Sequence, residues 1–224
     1  LADHYIGVLG IDWEETCRCA FSDKINPHDD RLSLQIIKDL HRTGWSSLKG
    51  DEEKLLLKRV LLGYARFNMT VGYCQGFNVI AENVLEVMEY KEEIALKVII
   101  FLIEHVLPRG YFDRSLYALS VDMAVLKDLL YQRLPKTAKH LDDLQHQSRE
   151  SSGYELLSSE HITASEFEPP LTNVFSMQWF LTIFATSLPK SCLYRIWDAL
   201  MLEGSEVLLR CALVIWTKFS PYVV

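Results

Sequence analysis

The chain has 224 residues, 49% hydrophobic and 24% charged, with a formal net charge of −7. That balance fits a soluble protein with a substantial core, in one large domain or two small lobes. Without a basic block or tail it argues against a nucleic-acid surface or a polybasic membrane anchor, leaving room only for a local basic patch.

Five cysteines without a regular framework, Cys17, Cys19, Cys74, Cys192 and Cys211, read as reduced thiols in the cytoplasm. Cys17-x-Cys19 has no second ligand pair at zinc-finger spacing and reads as a pair of small structural residues. The longest aliphatic run, Val98 to Ile103, is far too short to cross a bilayer. The opening Leu-Ala-Asp, without an initiator methionine, reads as the start of a fragment.

In chain order, Leu1 to Phe21 reads as a helix without a clear cap. Ser22 to Asp30 is a polar connector through Asn26-Pro27, with Asp29 and Asp30 as N-cap candidates. Leu32, Ile36 and Leu40 form the buried stripe of the next helix. Asp39 and Arg42 stand one turn apart on its flank, close enough to pair, and Thr43-Gly44 ends the helix with Arg42 at its exit. Read alone, they make a surface ion pair worth at most about 1 kcal/mol. Ser46 to Glu53 is a polar linker whose acids suit a helix start.

Leu55 to Phe67 reads as a helix ending near Asn68, a residue that tolerates the left-handed C′ position. Phe77, Ile80, Ala81, Val84 and Met88 recur at helical spacing after it. Between them lies Val71-Gly72-Tyr73-Cys74-Gln75-Gly76, where two glycines bracket a tyrosine and a glutamine. Such a junction holds a polar side chain at a helix N-terminus, where unpaired N–H groups favour anionic ligands. The plain alternative is an ordinary helix–helix turn.

Further helices are expected over Glu92–Leu107, over Ser115–Leu134 and from Pro135 onward. Glu82, Glu86 and Glu89 read as a solvated face. Gln147 to Pro170, rich in Ser and Glu, reads as a connector. Leu171 to Leu188 is apolar and aromatic enough for core packing, Tyr194 to Leu202 follows, and a last helix runs to Phe219. No strand pattern competes, so the expected class is all-α.

Common catalytic constellations are missing. There is no His-Glu-x-x-His pair and no P-loop; the seven histidines are scattered, with Glu104-His105 and His140/His146 read as surface or satisfied groups. Cys74 has no histidine beside it in sequence to activate it. Any chemistry must act on a substrate that arrives with its own cofactor.

Ile36-x-x-Asp39-x-x-Arg42 followed by Thr43, then Val71-Gly72-Tyr73-Cys74-Gln75-Gly76-Phe77-Asn78, resembles the paired signature of the TBC family of Rab GTPase-activating proteins. Met177-Gln178-Trp179-Phe180 and Arg195-Ile196-Trp197-Asp198 through Glu203-Gly204 are similar to the second half of that domain. The family's Arg-x-x-x-Trp motif does not appear before Asp39. The resemblance therefore implies a V-shaped, two-lobed helical TBC domain truncated at both ends. Its N-terminal lobe, about 1–146, would carry both fingers; the connector would span about 147–170 and the C-terminal lobe about 171–224.

The resemblance further implies an activator of Rab GTP hydrolysis, acting in vesicle traffic and not an enzyme on its own. Arg42 matches the arginine finger and Gln75 the glutamine finger, both supplied in trans. Asp39 matches the acidic position of the first motif and Tyr73 the tyrosine of the second, which contacts the GTPase or shapes the loop; with Gly72 and Gly76 they are supporting or GTPase-contacting residues. GTP and Mg2+ would be carried by the GTP-bound Rab partner, with no metal or cofactor held by this chain. Localisation would be cytoplasmic, with recruitment to vesicle or organelle membranes through the partner or flanking regions. A catalytically inactive TBC module that binds a Rab or a scaffold is the alternative.

Overall fold

Gly10, at φ +63°, breaks the first helical stretch in two. In the computed structural model, α1 covers Ala2–Val8 and α2 covers Trp13–Ala20, so the single helix expected over Leu1–Phe21 is two. The second is capped by Asp12, whose carboxylate accepts from the Glu15 N–H at 3.0 Å. The structure describes residues 1–22, 27–42, 50–151 and 171–223, with the side chains at 27–28, 41–42, 148–151 and 171–172 outside that description.

Helix α3 (Pro27–Arg42) starts on proline, which suits a first turn because it lacks the N–H that would go unpaired there. Asp29 and Asp30 thus lie inside the first turn rather than at the cap expected for them. Helix α4 (Asp51–Phe67) carries Asp51, Glu52 and Glu53 in its first turn, where carboxylates favour the helix dipole. Then come α5 (Phe77–Val87), α6 (Glu92–Phe101) and a π turn (Leu102–Val106), followed by α7 (Tyr117–Arg133) and α8 (Pro135–Ser151). Helix α8 carries on into the segment read as a connector, and 152–170 lies outside the described residues. The chain closes with α9 (Leu171–Leu181), α10 (Lys190–Glu203) and α11 (Glu206–Val223). Among the described residues there is no strand.

Helix α4 is the hub of the first half. It packs on α2, α3, α5 and α6, and Leu57, Val60, Leu61 and Tyr64 are buried on it. Helices α7, α8, α9 and α11 pack on one another, and α10 lies against α11 and the π turn. One continuous apolar cluster runs from Ile6 to Trp216, with Phe180 and Phe184 fully buried. Two tryptophans bury their rings while satisfying their N–H groups: Trp197 donates to the Ile183 carbonyl at 2.9 Å and Trp216 to the Ser176 hydroxyl at 3.0 Å.

The start of α10 covers part of α5, so of the three glutamates expected on a solvated face Glu82 and Glu86 are partly covered, while Glu89 is exposed. Glu86 pairs with Lys190, and the Tyr194 hydroxyl donates to Asn83 at 3.4 Å. Glu89 sits past the end of α5 in a left-handed conformation at φ +55°, and pairs with Lys91.

Candidate functional site

The loop from Asn68 to Gly76 is fixed at three points, each by a different part of the protein. The first is Asn68. Its backbone, at φ −122°, is not left-handed as the sequence suggested. Its side-chain oxygen accepts from the N–H groups of Thr70 and Val71, both at 3.1 Å, making an Asx turn. Its amide then donates to Glu104 at 2.8 Å, and the same carboxylate oxygen accepts from the Tyr64 hydroxyl at 2.6 Å. Glu104 stands on the π turn, whose widened ring closes through the Leu107 N–H to the Leu102 carbonyl at 3.0 Å. Burial, and then the Glu104 charge, raise the Tyr64 hydroxyl far above the usual phenol range, so it remains a donor.

The second point is Tyr73, 7% exposed, whose hydroxyl donates to the Asp39 carboxylate at 3.0 Å. Asp39 is 4% exposed and lies in the last turn of α3. Edge-on contact between the Tyr73 and Phe77 rings, 6.2 Å between centroids, holds the tyrosine from the other side. Phe77 in turn meets Phe112 at 4.6 Å and Tyr64 at 5.5 Å.

Gly76 is the third. Its φ of +102° is one that side chains rarely adopt, and a Cβ there would sit 3.1 Å from the Leu181 carbonyl oxygen and 3.3 Å from the Thr182 methyl. The end of α9 thus presses against the backbone that starts α5. Gly72, at φ +62°, provides the other reversal but has nothing nearer than 4.0 Å.

Between these anchors Gln75 is exposed, directly before the first turn of α5. Cys74 is half-buried and its thiol is raised by burial first and by the Asp39 charge second, which disfavours the nucleophilic thiolate. Arg42 is the last residue of α3, one turn beyond Asp39; its side chain, and with it the expected pairing with Asp39, lies outside the described residues.

Sequence reasoning missed Arg66. From the end of α4 it donates to the carbonyls of Ala20 and Ser22 at 2.7 and 2.8 Å, and its fork meets Asp29 at 2.7 and 3.2 Å. It ties α4 to the exit of α2 and the start of α3, the helix carrying Asp39 and Arg42. Among the described residues, no group of three or more His, Cys, Asp or Glu could hold a metal ion. No described helix is long and apolar enough to cross a membrane.

This geometry can be set beside known proteins. The chain matches the Rab-GTPase-TBC domain over residues 16–152 and 158–223. It belongs to the TBC domain family. TBC1 domain family member 30 of Homo sapiens is 52% identical over 226 residues, which cover 100% of this chain and 23% of that protein. The protein of the same designation in Xenopus tropicalis is 53% identical, with 24% of its length covered. TBC1 domain family member 2A of Rattus norvegicus is 37% identical over 160 residues, covering 71% of this chain and 15% of that protein. The chain thus spans about a quarter or less of each of these relatives. The crystal structure of the Chlamydomonas flagellar RabGAP TBC domain superposes with a TM-score of 0.69 at 21% identity, covering 99% of this chain and 64% of that one. At that identity the likeness is one of fold: this is the all-helical TBC fold.

Proposed function

We propose that this TBC domain accelerates GTP hydrolysis by a Rab GTPase, with Arg42 as an arginine finger and Gln75 as a glutamine finger supplied in trans. The observation that carries the reading is the Tyr73–Asp39 hydrogen bond. It ties the loop bearing exposed Gln75 to the helical turn that ends in Arg42. Two motifs more than thirty residues apart in sequence thereby share one buried polar link.

Phosphoryl transfer from GTP to water needs a positioned nucleophile and compensation for charge moving onto the leaving oxygens. A guanidinium serves the second need, since it stays charged and offers donors in a fixed fork. A carboxamide serves the first, accepting from the attacking water while donating to a γ-oxygen. Both act best when already in place, and the anchored loop supports that for Gln75. GTP and Mg2+ arrive on the GTPase, and Asp39, Tyr73, Gly72 and Gly76 position rather than react. The domain works in the cytoplasm and on vesicle membranes where the GTP-bound partner resides, regulating vesicle traffic.

Single-turnover hydrolysis against a panel of GTP-loaded Rab GTPases tests this. An arginine finger is worth about 10³–10⁵ in rate, roughly 4–7 kcal/mol. Arg42→Ala removes most of the acceleration with thermal stability nearly unchanged, and Gln75→Ala gives a smaller but clear loss. Continued stimulation of a Rab whose own catalytic glutamine has been replaced supports the trans role of Gln75. Activity of Arg42→Ala within about threefold of wild type overturns the finger assignment. Binding without stimulation by the wild type identifies a non-catalytic module instead.

A further inference from the structure

A groove of about 490 Å³ is lined by α3, by the segment 69–73 that leads to Gln75, and by Arg114. Among the described residues its charged lining consists of Arg31 and Arg114, with no carboxylate. Both arginines are exposed, and neither has an ion pair among the described residues. In a chain with a net charge of −7, an open polar groove with two uncompensated guanidinium groups runs against the background. The acids adjacent in sequence, Asp30 and Asp113, are not part of the lining.

Helical register extends this surface. Residues 31, 35, 38 and 42 fall at successive spacings of four, three and four, a single face of α3. Arg31, Gln35 and Lys38 are exposed on it, and Arg42 continues the register at the helix end. The floor of the groove includes Gly72 and Tyr73, so it and Gln75 share one short loop.

We infer that the Arg31/Arg114 groove, extended along α3 by Lys38, is an electrostatic docking surface for an acidic segment of the GTPase that the fingers serve. The inference rests on the proposed activity and assigns residues to recognition rather than to the reaction. Positive charge beside the fingers raises the encounter rate with an acidic partner and fixes its orientation, without altering the transition state once the complex has formed. Arginine suits the task because its planar fork meets carboxylates through two parallel hydrogen bonds.

The test is stimulated GTP hydrolysis measured against Rab concentration, for the wild type and for the double variant Arg31→Glu/Arg114→Glu, at low and at high salt. Loss in kcat/KM is carried by KM, rising about tenfold at low ionic strength and shrinking as salt screens the surface, while wild type loses more with added salt than the variant does. Arg31→Lys/Arg114→Lys retains most of the salt dependence. A double reversal with unchanged KM and salt slope, in the presence of wild-type stimulation, overturns the docking surface and leaves the fingers standing. Loss of sedimentation with phosphatidylserine vesicles, at unchanged KM, assigns the groove to a membrane and also overturns it. A wild type that stimulates no Rab in the panel removes the activity itself, and the docking inference falls with it.

Discussion

The Tyr73 hydroxyl and the Asp39 carboxylate meet at 3.0 Å across 34 residues of sequence, both buried. Replacing Tyr73 with Phe keeps the ring against Phe77 and removes one donor from a buried carboxylate. Such a loss costs about 1–3 kcal/mol, because the remaining group stays desolvated. Tyr73→Phe is expected to lower stability by that amount in urea and to reduce kcat for stimulated hydrolysis more than it raises KM, since the Gln75 loop loses its tie to α3. Asp39→Asn keeps an acceptor oxygen and should be milder on both counts. A phenylalanine variant as stable as wild type would show that the link contributes nothing.

The two glycines of the loop separate backbone freedom from close approach. Gly72→Ala meets only the left-handed backbone penalty, about 1–2 kcal/mol, because a Cβ there would make only ordinary contacts, at 4.0 Å. Gly76→Ala adds a contact of 3.1 Å with the Leu181 carbonyl, an atom held by helix α9 that moves only with the backbone. It should therefore be the more destabilising of the two by at least about 1 kcal/mol, as overpacking at a rigid contact is. Equilibrium denaturation of both variants decides this, and equal losses would mean that α9 yields freely.

How much of this was readable beforehand depends on the range of the interaction. The helical class and most helix positions follow from local apolar spacing, which is why α5, α7 and α11 were anticipated. The two loop glycines were readable for the same reason, since a left-handed turn restricts its own residue. Asp29 shows the limit. Locally it looks like a cap, and only the fold brings Arg66 from 37 residues away to claim it. Likewise α7 and α8 start before the Ser- and Glu-rich segment yet pack on α9 and α11, which follow it. No spacing rule contains that pairing, and none contains the press of Leu181 on Gly76.

Arg66 provides a sharper test of long-range anchoring. It is largely buried, with the Asp29 carboxylate and two carbonyls all depending on its donors. Truncation to alanine leaves that carboxylate buried without its counter-charge, so Arg66→Ala should cost about 3–5 kcal/mol. Arg66→Lys keeps the charge but reaches fewer acceptors with one ammonium, and should recover only part of that loss. Thermal denaturation gives both values. Stimulated hydrolysis should fall alongside stability in the alanine variant, because α3 loses a tie at its start.

Glu82 predicts a pH effect of the less common sign for a carboxylate. Burial under the start of α10 raises its pKa; Lys190 pulls it back, and Glu86 pushes it up again. A carboxyl group whose folded pKa lies above its unfolded value favours the fold while protonated. Its contribution is fully present below the unfolded value, about 4.3, and is lost as pH rises through the folded value. Ionisation of Glu82 therefore opposes folding. Glu82→Gln retains the shape and removes the charge, so it should raise the melting temperature at pH 7, with the gain shrinking as pH is lowered toward 4. Melting curves of both proteins from pH 4 to pH 8 measure the difference directly, and a gain that is constant with pH, or a loss at pH 7, would show that the Lys190 attraction outweighs burial.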